Sequence, residues 1–141
     1  MTGEKEKSSG SGNNNNDRSG LNLDDPLIVH SNDLSCVSIV SFKLQGTINY
    51  KAWSSSTELG LRARNKLGFV TGTLPRPTED DLKMSQWDRA DAVVLSWILA
   101  SISENLYASH VLARTSNEVW EDLKENFKKL MDLLCLMLTK K

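Results

Sequence analysis

The chain has 141 residues, a formal net charge of −1, 39% hydrophobic residues and two cysteines, Cys36 and Cys135. That length holds one small domain with tails and buries about two thirds of its unfolded surface. Near-neutral charge excludes bulk electrostatics as a pointer to nucleic acid or membrane, and the two distant cysteines exclude a disulfide framework or a zinc knuckle.

Residues 1–20 (MTGEKEKSSGSGNNNNDRSG) have no large apolar residue after Met1. They bury too little apolar area to offset the entropy of ordering, so a disordered tail is expected, with the asparagine tract at 13–16 as part of it. Residues 21–48 read as an extended arm. Asp24 and Asp25 form a solvated turn rather than an acid–base pair, because no basic or nucleophilic partner lies nearby. Pro26 precedes apolar Leu27, Ile28 and Val29, and Ser31, Asn32 and Asp33 signal a turn. Val37 and Ile39 alternate with Ser38 and Val40 up to Phe42. This fits a short strand or an extended piece, and a hairpin of 27–30 with 37–42 is one way to pair it.

Gly46 supplies a turn, and Asn49 can cap a helix by accepting from a first-turn N–H. Tyr50, Trp53, Thr57 and Leu61 then share one helical face. Lys51, Glu58, Arg62 and Arg64 occupy the others. The helix is expected to fray at Asn65 and Lys66, with Gly68 as its stop. Phe69 and Val70 form an apolar anchor, and Gly72 a turn. Pro75 and Pro77 hold the connector extended.

Thr78 and Asp81 read as a capping box for a short helix over 79–84. Ser85 is a second cap, opening a helix over 86–101. There Trp87, Ala90, Val94, Trp97, Ile98 and Ser101 make one stripe, widened by Val93 and Leu95. Arg89 lies between Asp88 and Asp91 on the polar side. A short helix over 104–114 carries Leu106, Tyr107, Val111 and Leu112. Beside them His110 reads as a packing or surface histidine, lacking a second ligand at helical spacing. Thr115 and Glu118 form a capping box for the last helix. Along it Trp120, Leu123, Phe127, Leu130, Leu134 and Met137 recur as a heptad-like seam. Leu133, Leu134, Leu136, Met137 and Leu138 cannot all face one core. The surplus marks a partner surface or an aggregation liability.

Catalytic chemistry is not signalled. GxSxG, HExxH and glycine-rich phosphate loops are missing from the sequence, and Ser54, Ser55 and Ser56 have no base beside them. No catalytic residue, metal ligand, cofactor or small-molecule substrate is expected. The polar N-terminus is not a signal peptide, and no apolar run reaches the ~20 residues of a membrane span. A cytoplasmic, intracellular setting without a membrane partner follows as the expectation. A basic face (Lys51, Arg62, Arg64, Lys66) contrasts with an acidic segment (Glu79, Asp80, Asp81, Asp88, Asp91). These are ordinary solvated faces or the two sides of a head-to-tail subunit contact. The candidate assembly surface is therefore Arg62, Arg64, Lys66, Asp80, Asp81, Asp88 and Asp91. A weak nucleic-acid contact through the basic face is a third option, though no aromatics are interleaved there.

The ordered series Leu44, Gly46, Asn49, Tyr50, Trp53, Leu61, Ala63, Lys66, Phe69, Val70 and Gly72 resembles the N-terminal Gag segment of plant copia-type LTR retrotransposons. The likeness continues through Pro77, Trp87, Arg89, Asp91, Ser96, Trp97, Ile98, Ser101, Ile102, Trp120, Leu123 and Phe127, and so spans residues 34–127. The resemblance implies a helical, capsid-like segment of a structural polyprotein that assembles into particles, without catalysis. Thr57 stands where the family prefers a bulky apolar residue. Beyond Phe127 the family continues with a polar linker and a further helix, whereas this chain runs KKLMDLLCLMLTKK, which suggests a truncated or rearranged copy. The expected fold is mainly α: a small capsid-like domain of four to five helices behind a short extended arm or strand. Its parts are a tail (1–20), the arm (21–48), the helical domain (49–129) and an apolar extension of the last helix (130–141). Leu44, Gly46, Asn49, Tyr50, Trp53, Leu61, Phe69, Gly72, Trp87, Trp97, Ile98, Trp120, Leu123 and Phe127 are the expected motif and core positions. The expected partner is a second copy of the chain. The alternatives are a truncated or domesticated copy serving as a monomeric protein- or nucleic-acid-binding adaptor, or a relic without function.

Overall fold

A computed structural model describes residues 25–36 and 38–139, together with Gly3. The expected disordered tail (apart from Gly3), Asp24, Val37 and the last two lysines lie outside the described residues. Among the described residues six helices follow in order: α1 (Ser31–Ser35), α2 (Tyr50–Ala63), α3 (Leu67–Thr71), α4 (Asp81–Ala100), α5 (Glu104–His110) and α6 (Ser116–Thr139). The mainly α expectation holds, with one more helix than expected. Helix α6 packs on α3 and α4, and α2 packs on α3.

Of the short strand and the extended arm offered as alternatives, the strand is not the one seen. No strand occurs among the described residues; one isolated parallel bridge joins Leu44 to Ile102. There the Leu44 N–H donates to Ser101 O at 2.8 Å, and the Ser103 N–H donates to Leu44 O at 2.9 Å. The turn expected at Ser31–Asn32–Asp33 is instead the helix α1, closed by the His30 N–H donating to Asp33 Oδ2 at 3.0 Å. The hairpin of 27–30 with 37–42 is likewise not seen among the described residues. The β-branched residues of the arm meet helices rather than another strand. Trp97 Nε1 donates to Cys36 O at 3.2 Å. Ile39 lies so close over α2 that a Cβ on Gly60 would stand 3.3 Å from Ile39 O. Gly60 is therefore the position that lets the arm cross.

Helix α2 starts at Tyr50 as expected, but Asn49 does not cap it. Its Oδ1 instead accepts from the N–H groups of Gln45 (3.0 Å) and Gly46 (3.3 Å), and its Nδ2 donates to Lys43 O at 2.8 Å. Asn49 thus knits the preceding turn, a competing use of a side chain that bonds locally. The stop of α2 is Asn65, not Gly68: Asn65 takes φ 56°, a left-handed conformation that asparagine tolerates. The Lys66 N–H then reaches Leu61 O at 2.8 Å and the Asn65 N–H reaches Arg62 O at 3.1 Å, the paired bonds of a Schellman ending. Gly68 lies inside α3 and accommodates Leu74, whose Cβ would sit 3.0 Å from a Cβ there.

The two helices expected over 79–84 and 86–101 are one continuous α4. Nothing between Met84 and Gln86 breaks a helix, and serine in a helix interior costs only a few tenths of a kcal/mol. The cap is Asp80 rather than Thr78, with Oδ1 accepting from the Leu82 and Lys83 N–H groups at 3.0 and 3.3 Å. At the start of α6 the expected cap is present, since the Glu118 N–H donates to Thr115 Oγ1 at 3.2 Å. Glu118 Oε2 reaches one residue further back than a simple box, to the Arg114 N–H at 3.1 Å.

The expected core residues assemble. Trp53, Leu61, Phe69, Val94, Trp97, Ile98 and Leu123 are at most 1% exposed, and Trp87, Trp120 and Phe127 close the edges. Buried indoles need a partner for N–H. Trp53 Nε1 donates to Ser101 Oγ at 3.2 Å, and Trp87 Nε1 donates to Leu74 O at 3.0 Å. With the Trp97 bond to Cys36, the tryptophans pin three separate connections onto the core.

Candidate interaction surface

The family-like positions are chiefly core and turn residues. Leu44 is fully buried at the bridge, Gly72 takes φ 80° at the end of α3, and Tyr50 stacks on Phe127 with ring centroids 4.8 Å apart. Burial raises the Tyr50 phenol above its ordinary value, and nearby Glu58 and Glu121 add to the shift.

The charged set expected as an assembly surface is largely spent inside the molecule. Lys66 is 1% exposed, and its Nζ donates to Pro26 O and Ile28 O, both at 2.7 Å. Desolvation lowers its pKa, with Asp33 and Asp25 pulling the other way. Asp91 is buried too, and its carboxylate accepts from Ser116 Oγ at 2.5 Å and from the Ser116 N–H at 3.3 Å. Burial raises its pKa and the Ser116 bonds partly offset this. Neither residue can serve a surface contact. The reason is local: Lys66 follows a left-handed residue that folds it back inward, and Asp91 falls on the stripe of Trp87 and Val94.

Asp88 is exposed but pairs with Arg76, not Arg89, through bonds of 2.8 and 2.9 Å. That contact lowers the Asp88 pKa and raises that of Arg76. Arg64 is half-buried, its guanidinium 5.5 Å from the Trp97 ring centroid. Asp80 serves as the α4 cap. Of the seven, Arg62 and Asp81 are exposed with no side-chain bond found among the described residues. The basic face suggested for nucleic acid shrinks in the same way, to Lys51 and Arg62.

Two further features lie outside that charged set, and the first of them was not anticipated as a site. A groove of about 420 Å³ runs between α2 and α6, lined by Tyr50, Trp120 and Met131 with Lys51, Ser54, Glu58, Lys124, Lys128 and Asp132. Its aromatic floor was legible only as core. Beyond the groove, α6 runs on from Phe127 for twelve residues, about 18 Å at 1.5 Å per residue. Leu130, Leu133, Leu134, Leu136, Met137 and Leu138 are 46–77% exposed along it. The seam spacing had flagged this surplus.

No group of His, Cys, Asp and Glu able to hold a metal ion is found among the described residues. His110, the isolated histidine of α5, is buried in packing. No helix among the described residues is long and apolar enough to cross a membrane. Residues 30–78 match the family described as Gag-polypeptide of LTR copia-type. This stretch is similar to a copia-type Gag polypeptide. The Gag-like stretch carries α1, α2, α3 and the proline connector, with the Gly60 crossing inside it, while Lys66 reaches out of it to Pro26 O and Ile28 O. A Gag-like structural role is what the match supports. No curated protein and no solved structure matches the chain.

Proposed function

We propose that the chain is a non-catalytic, capsid-like structural module that works by self-association. The observation that carries this reading is the copia-type Gag match over residues 30–78, whose helices form one core with α4 and α6. The polar residues with chemical potential are employed in structure: Lys66 ties the arm, Asp91 anchors α6 and Ser101 receives an indole. Sedimentation velocity of the purified chain across concentration tests the reading. Discrete, reversible oligomers are expected. A monomer at every concentration would overturn it.

A second reading, a monomeric adaptor that binds a host protein or nucleic acid, draws on the loss of the charged contact faces. With Lys66 and Asp91 buried, the head-to-tail electrostatic contact has few groups left to make it. Association that weakens steeply between low and high salt would restore the electrostatic contact. Salt-insensitive association would place the contact on apolar surface instead.

A further inference from the structure

Resting on that self-association reading, we propose that its interface is the projecting half of α6, paired antiparallel with the same half of a second copy of this chain. The helix itself specifies the geometry. With Phe127 at heptad position a, the following d, e, g, a, d and e positions are Leu130, Met131, Leu133, Leu134, Met137 and Leu138. Lys128, Lys129 and Asp132 fall at b, c and f, away from that face. The first half of α6 already uses the same stripe to pack on helices of its own domain. Its continuation calls for another apolar helical stripe of equal width, and this chain carries one.

Antiparallel pairing places Leu130 of each copy opposite Leu134 of the other, the a-against-d layering of a two-helix seam. It also brings Met137 of each copy to Phe127 of the other. That end of the domain holds a second unexplained apolar side chain: Ile48, fully exposed, two residues before the Tyr50 that stacks on Phe127. The tip of each α6 then returns over the Ile48 end of the other copy, past Met131 at the rim of its α2–α6 groove. A stable interface needs about 800 Å² and 20–30 residues on each side. The twelve projecting residues alone fall short of that, and the Ile48 end of the other copy supplies the remainder. Parallel pairing would carry both tips away from the domains and leave Ile48 bare.

The test is sedimentation velocity of the full chain beside Leu134→Glu, Ile48→Ser and, as a control on another surface, Leu112→Glu, each checked for helicity. Leu134 and Leu112 are 47% and 92% exposed, so none of these changes strains the core. Leu134→Glu is expected to weaken dimerisation by at least about 30-fold, as a central apolar anchor does, and Ile48→Ser by a smaller factor. Leu112→Glu is expected to change nothing, and high salt is expected not to loosen the dimer. Oligomers that survive Leu134→Glu would overturn the interface while leaving self-association standing. Equal loss with Leu112→Glu would overturn it as indiscriminate stickiness. A wild-type chain that stays monomeric and binds lipid vesicles through α6 would overturn both this interface and the reading beneath it.

Discussion

In the first half of α6, Trp120, Leu123 and Phe127 are 5%, 1% and 4% exposed; in the second half, Leu130, Leu134 and Met137 continue the same line at 46%, 47% and 68%. One seam thus runs through two environments. Periodicity chooses the face a helix presents, but whether anything covers that face depends on the rest of the molecule. The first half meets α3 and α4, and Trp120 lies 5.5 Å from the Trp53 ring. The second half has run past them.

That contrast predicts unequal penalties for the same truncation. Trp120→Ala should cost about 3–5 kcal/mol in denaturant unfolding, since it removes a large buried ring and leaves a cavity. Leu134→Ala, measured at a dilution where the chain is monomeric, should stay within about 0.5 kcal/mol. A comparable loss at Leu134 would mean that the second half is covered within the single chain.

The next largest effect separates buried from exposed charge. Asp91→Ala removes the acceptor for the Ser116 N–H and hydroxyl, both buried at the junction of α4 and α6. A lost cap and an orphaned donor together predict about 2–4 kcal/mol. Asp81→Ala, on the same helix but exposed, should cost a few tenths. Equal effects would show that Asp91 contributes only as a surface charge.

Lys66 sharpens the same contrast in its pH dependence. Lys66→Met keeps the apolar stem and removes the donor to Pro26 O and Ile28 O, for an expected loss of about 1–3 kcal/mol. Hydrogen exchange should quicken in α1 and the arm, whereas Arg62→Met should leave exchange unchanged. Desolvation lowers the folded-state pKa of Lys66 below its ordinary 10.5. Between that lowered value and 10.5 the unfolded chain holds more protons, so stability from this group rises with pH. The neutral amine still has two N–H groups for two carbonyls. The gap between wild type and Lys66→Met should therefore widen as pH climbs through that window. A gap that narrows there would mean the ammonium form is the one the site favours.

These cases also mark how far the sequence could be read. The core was legible because Trp53, Trp87, Trp97, Trp120 and their neighbours repeat at helical spacing, and burial follows from that spacing. Asp91 was legible in position, four residues after Trp87 and three before Val94, but its charge argued for the surface. Only the nearby Ser116, 25 residues on, explains its burial. Lys66 is further out of reach: its carbonyl partners lie about 40 residues earlier in an arm whose path no local pattern sets. The strand, which was expected there as the alternative to an extended arm, is absent among the described residues for the same reason. β-Branched residues suit any half-buried extended surface, and here the surface is made of helices.

Thr57 carries the smallest expected effect and tests the resemblance within α2. It is fully buried on the face of Trp53 and Leu61, and its hydroxyl has no hydrogen-bond partner among the described residues. An unpaired buried hydroxyl costs about 1–3 kcal/mol relative to a satisfied or apolar group. Thr57→Val keeps the shape and removes that polar atom, so it should stabilise by about 1 kcal/mol and raise Tm by a few degrees. Thr57→Met, the bulkier apolar choice that the resemblance favours, should also raise Tm if the core around α2 has room for the longer side chain. A gain with Val and a loss with Met would mean that the packing has closed around threonine. The departure from the family would then be accommodated in volume but not in hydrogen bonding. No gain with either would mean that the hydroxyl finds a partner in solution, and the site would cease to count as a defect in the core.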